Sequence, residues 1–128
     1  MPFSLAQTQH QFTKTENGGI QRVISRDPQN QEQILLIRQH LEQLAKHFSK
    51  GDFSGPESIH GADMPGLAQL RSALSGELQV NYSAEAAGAS LIFYSTDTLL
   101  IKAVHELFDA QLHDHGHDAM EMHHRHHP

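Results

Sequence analysis

Twelve of the 128 residues are histidine, while cysteine and tryptophan are absent. Imidazole is therefore the group this chain has most to offer chemically. It ligates Cu, Zn and Ni when neutral, and its ordinary pKa lies close to physiological pH. Thiolate sites and disulfides are excluded by composition. The densest run is His113-Asp-His-Gly-His117-Asp-Ala-Met-Glu-Met-His-His-Arg-His-His-Pro128. In it His113, His115 and His117 alternate, Asp114 and Asp118 offer oxygen, and Met120 and Met122 bring thioethers that favour Cu(I). Several ligands on one segment raise the effective concentration of each toward an ion already held. A passive, solvated terminus is the plain alternative for the same residues.

A second candidate is the loop Ile59-His-Gly-Ala-Asp-Met-Pro-Gly-Leu67. Pro65 suits the first position of a helix, which makes Met64 the N-cap. A methionine cannot accept the orphan amides that Ser, Asp or Asn would satisfy there, so Asp63 must supply that acceptor. Metal ligation is one reason for a thioether in that place, and a hydrophobic staple is the other. His60 is near enough in sequence to join it, because Gly61 lets the loop fold back. On the helices, His40 and His47 share a line at the border of an apolar row, and His105 borders another. Each would ordinarily be a half-buried packing residue, and His40 lies nearest the buried row. The expected folded site is His60, Met64 and His40, with His115 as a further ligand. His113, His115 and His117 of the tail would capture or pass ions. Thioether among imidazoles favours copper, with zinc and nickel as alternatives.

The elements that must hold these residues can be read from spacing. After a flexible lead-in over residues 1–9, Gln11 to Arg26 reads as a hairpin turning at Asn17-Gly18. Asp27 and Pro28 are the expected N-cap and first residue of a helix. Its apolar row is Ile34, Ile37, Leu41, Leu44, Ala45 and Phe48, and Gly51 ends it. A short helix is expected over 65–74. Glu77 to Tyr82 and Ser90 to Ser95 form a second hairpin across a turn ending at Gly88. Asp97 then caps a last helix with Leu100, Ile101, Val104, Leu107, Phe108 and Leu112 inward. The expected class is α+β, order ββ-αα-ββ-α, an antiparallel sheet of about four strands packed against helices. Residues 10–112 make one domain, and 113–128 a disordered His/Met-rich tail. No repeat of fixed period is visible, although two hairpin-then-helix units raise the prospect of a distant duplication.

Five stretches resemble a family of small, poorly characterised bacterial exported proteins. They are Gly18-Gly-Ile-Gln-Arg-Val, Ile37-Arg-Gln-His-Leu, Phe48-Ser-Lys-Gly-Asp-Phe-Ser-Gly-Pro, Ile59-His-Gly-Ala-Asp-Met-Pro-Gly-Leu and Phe108-Asp-Ala-Gln-Leu-His-Asp-His-Gly. The resemblance covers roughly residues 12–120, and its most specific part is the His-Gly-x-x-Met-Pro-Gly-Leu element. It implies export to the periplasm and marks His40, His60, Met64 and His115 as positions shared with the family pattern. It brings no established activity. Some members carry an aspartate carbamoyltransferase label, which does not suit this chain. The length falls far short of two α/β domains, and the Ser-Thr-Arg-Thr element of that enzyme is missing.

Other function classes fare worse. A formal charge of −6 and no Lys/Arg patch argue against nucleic acid as a partner. No apolar run approaches the roughly 18 residues of a membrane span. No signal peptide is visible at Met1-Pro-Phe-Ser-Leu-Ala-Gln, so the expected periplasmic export presumes its removal. No phosphate loop, nucleophile elbow or His-Glu-x-x-His pattern appears, so no acid–base pair for catalysis is recognisable. The expected role is copper buffer, carrier or chaperone, with the metal ion and a copper enzyme or transporter as partners. A homo-oligomer is compatible with it. Non-covalent haem binding through an axial pair such as His40 and Met64 is the first alternative. A small copper metalloenzyme and a histidine-based pH sensor are the others.

Overall fold

The computed structural model describes residues 7–49, 70, 77–115 and 119–122, with 113–115 and 119–122 described as backbone. Two antiparallel hairpins form the sheet. In the first, β1 (Thr8–Thr15) pairs with β2 (Gly18–Ser25), from Thr8 opposite Ser25 to Thr15 opposite Gly18. In the second, β3 (Gln79–Glu85) pairs with β4 (Gly88–Tyr94). The hairpins join through β2 and β4, also antiparallel. A helix follows each hairpin: α1 (Gln31–Ser49) and α2 (Thr98–His115). The fold is α+β with a four-strand antiparallel sheet, in the order ββ-α-ββ-α. The helix expected over 65–74 lies outside the described residues except for Leu70, which is helical and fully buried.

The two units are copies of one plan. Gly18 and Gly88, Ser25 and Ser95, and Asp27 and Asp97 are each 70 residues apart. The Ser25 amide donates to the Ala87 carbonyl at 2.8 Å, and the Ser95 amide donates to the Asn17 carbonyl at 2.8 Å. The Asp27 carboxylate accepts from the Gln29 amide, and the Asp97 carboxylate from the Leu99 amide, both at 2.9 Å. A Cβ at Gly18 would strike the Phe93 carbonyl, and one at Gly88 would strike the equivalent Val23 carbonyl. The register relates the halves by a local twofold axis through the Gln21–Leu91 pair. This close approach, with φ of 151° at Gly18, makes glycine open β2. The turn is consequently Glu16-Asn17, one residue earlier than the expected Asn17-Gly18.

The helices pack crosswise. α1 lies over β3 and β4, the other unit's hairpin, and α2 lies over β1 and β2. One face of the sheet is thereby covered. Phe12, Val23, Val80, Ala89, Leu91 and Phe93 are buried on it against Ile37, Leu41, Phe48, Val104, Leu107 and Phe108. Phe108 sits at the centre, its ring 5.1 Å from that of Phe12 and 5.5 Å from that of Phe93. The opposite face is polar across its middle. There Arg22 donates to Gln11 at 3.0 Å and pairs with Glu85, and Gln11 donates to Gln9 at 3.0 Å.

The starts of the helices differ. Asp97 caps α2 as expected, but α1 begins three residues later than the Asp27-Pro28 signal, after Asn30. The Asn30 side chain accepts the Gln33 amide at 3.2 Å, while the Asn30 amide donates to the Asp27 carbonyl at 3.0 Å. Asparagine caps well and propagates a helix poorly, so the downstream cap wins. Two pieces of the expected tail belong to the fold. α2 continues through His115, since no helix breaker follows Leu112 before Gly116. Ala119–Met122 forms β5, which pairs parallel with β1 and gives the sheet order β3-β4-β2-β1-β5. Among the described residues no helix is long and apolar enough to cross a membrane.

Candidate metal centre

The expected ligands fall into three groups. His60, Met64 and His117 lie outside the described residues. His40 is on α1, half-buried, and burial lowers its pKa below the ordinary 6.5, which keeps the imidazole neutral and ligand-ready over a wider pH range. His113 and His115 occupy the last turn of α2. His40 thus stands over one half of the sheet and the α2 histidines over the other. Among the described residues no three His, Asp or Glu side chains group as a ligand set.

Of the other two helical histidines, both expected to be half-buried at the border of an apolar row, only His105 is so. His47 is exposed near the end of α1. The Nε2 of His105 lies 2.9 Å from the Thr15 carbonyl oxygen. A carbonyl only accepts, so Nε2 carries the proton and His105 ties α2 to the end of β1.

That contact also fixes the direction of α2. Beyond His105, the Lys14 ammonium meets the Asp109 carboxylate at 2.6 Å, and the Phe108 ring meets Phe12. Over residues 105–109 the helix therefore runs opposite to β1. His10, near the beginning of β1, is 1% exposed on the covered face. β5 starts at the same place, with Ala119 as the register partner of His10. Four residue steps from His115 to Ala119 span at most about 14 Å, so the end of α2 is held close to this corner. Met120 and Met122 register with Gln11 and Thr13, and Glu121 registers with Phe12.

No family model, curated protein or solved structure matches the chain.

His10 is the residue that spacing alone passed over. Its signal was parity: it alternates with Phe12 on β1, so it shares the inward face of the strand. The lead-in expected over residues 1–9 hid the strand's first two residues and, with them, that parity.

Proposed function

We propose that the chain binds a transition-metal ion through histidine imidazoles, copper foremost, and serves in the periplasm as a buffer, carrier or chaperone. The observation that carries this reading is the anchoring of the His/Met-rich segment. Its first residues finish α2, and its middle residues pair with β1, so the histidines at 113 and 115 are held to the fold. A ligand-bearing segment tied down at two points loses less conformational entropy on closing around an ion than a free one does. In this reading His40, with His60 and Met64 of the loop after α1, is the second set of donors. Cysteine-free composition suits an oxidising compartment. A copper enzyme or transporter is the partner such a role requires.

The test is retention. The full chain, loaded in turn with Cu(II), Zn(II) and Ni(II), is dialysed against a weak competing chelator and its metal content measured. Stoichiometric copper retention, above that of zinc, supports the reading. Loss of all three metals ends it.

A further inference from the structure

The turns that lead into the two central strands make the same backbone contact with different residues. In the second unit the turn is Ala86-Ala87 before Gly88, and the Ala87 carbonyl accepts the Ser25 amide at 2.8 Å. In the first it is Glu16-Asn17 before Gly18, and the Asn17 carbonyl accepts the Ser95 amide at 2.8 Å. Alanine makes this clamp as well as asparagine does, so the clamp does not depend on the Asn17 side chain. That side chain carries an amide, is exposed at the hairpin tip and precedes a glycine.

Asparagine before glycine has a reaction of its own. The Gly18 backbone nitrogen gives its proton to water or hydroxide and attacks Cγ of Asn17. A bond forms between that nitrogen and Cγ, the Cγ–Nδ2 bond breaks, and Nδ2 takes a proton from water and leaves as ammonia. The product is a cyclic imide. Water then opens the ring at one of its two carbonyls, giving either aspartate or isoaspartate, whose main chain runs through Cβ and Cγ. Water is the only co-reactant, and nothing is oxidised or reduced. A side chain on the attacking residue would hinder its approach, and glycine has none.

Ring closure requires the Asn17–Gly18 peptide to swing toward the Asn17 side chain, and the fold opposes this from several sides. The Ser95 amide holds the Asn17 carbonyl. Thr15, the register partner of Gly18, has its carbonyl on the His105 ring at 2.9 Å. Gly18 itself lies so close to the Phe93 carbonyl that a Cβ has no room. Ser95, His105 and Phe93 all belong to the second unit. The peptide can swing only when the seam between β2 and β4 opens at this end.

We propose that Asn17 is a deamidation site gated by the contact between the two units, so that its conversion to isoaspartate records opening of the seam and then loosens it. The extra main-chain methylene moves the residue-17 carbonyl away from the Ser95 amide. The new carboxylate adds negative charge to a chain already at −6. The damage is one-sided, because Ala87 has no amide side chain to react and the Ser25 contact persists. No step calls on a bound metal.

The full chain is aged in mildly alkaline buffer, folded and in guanidinium, and the peptide carrying Asn17 is followed by mass spectrometry that separates aspartate from isoaspartate. The expected result is a gain of about one mass unit at position 17, mostly as isoaspartate, at least about tenfold slower in the folded chain than in guanidinium. Equal rates, or a faster reaction in the folded chain, overturn the gate. An unfolded chain that stays unmodified at Asn17 overturns the site altogether. Asn17→Ala keeps the clamp and should show no gain in this peptide, whereas a gain of the same size there would also overturn the site. In the aged wild type, hydrogen exchange at the Ser95 amide should quicken while that at Ser25 stays as it was. An unchanged Ser95 amide in chains that carry isoaspartate overturns the loosening.

Discussion

The two hairpin–helix units share turn length, strand register, the glycine that opens the second strand and the aspartate after it, yet they fill the sheet differently. The second packs Leu78, Val80, Leu91 and Phe93 under α1. The first sets Thr8, His10 and Gln21 among Phe12 and Val23 under α2. A duplicated plan serves as its own control: what both units keep is what the fold requires, and what one changes is free for other use. By this measure the shared plan accepts apolar side chains at these positions, and Thr8, His10 and Gln21 are where the first unit departs from it.

The comparison can be broken most forcefully at the shared centre. Phe108→Ala removes the ring that bridges Phe12 and Phe93, and it should lower stability by about 3–5 kcal/mol in urea unfolding. A loss below about 1 kcal/mol would mean the halves are not packed through that ring. Next in size is Val80→His, which gives the scaffold unit the first unit's residue. Lost apolar contact and a buried imidazole together should cost about 2–3 kcal/mol. If His is tolerated there without penalty, the contrast between the two units carries no energetic weight at this position. Gly18→Ala and Gly88→Ala probe the symmetry itself. Each drives a Cβ into the carbonyl of the facing central strand, so both should cost about 1–3 kcal/mol, more at Gly18, where φ is also positive. Equal losses would show that the positive φ at Gly18 adds no cost. The smallest effect is in the pH dependence. His40 has its folded pKa lowered from 6.5 by burial, so below that value the unfolded chain binds a proton the folded chain resists. Stability should fall as pH drops from about 6.5 toward the lower folded pKa and then level off. His40→Gln should flatten that slope in denaturation curves taken between these limits, and an unchanged slope would assign it to another group.

Much of the fold was legible because it is local. The row Ile34, Ile37, Leu41, Ala45 and Phe48 is buried as its spacing predicts, as are Leu100, Val104, Leu107 and Phe108. The Asp97 cap was equally plain, whereas the second hairpin turns at 86–87 and Gly88 opens β4 instead of ending the turn. What escaped reading depends on partners far away in sequence. The first hairpin turns at Glu16-Asn17 because Gly18 must pass the Phe93 carbonyl of another unit. The parallel β5 is four residues long and owes its place to β1. The site was half visible. Histidine abundance and the 113–117 run could be seen directly, but the inward place of His10 follows from a strand beginning at Thr8, inside the stretch that reads as a lead-in.

The crosswise packing of the helices has a consequence for how the chain is made. A ribosome that has released only residues up to Ser49 has produced α1 without the β3–β4 floor on which its apolar row rests. The first hairpin waits likewise for α2, which is synthesised after both hairpins. Neither unit can complete its packing before the other has emerged. Until then, Ile34 through Phe48 is a sticky surface that the cell must shield.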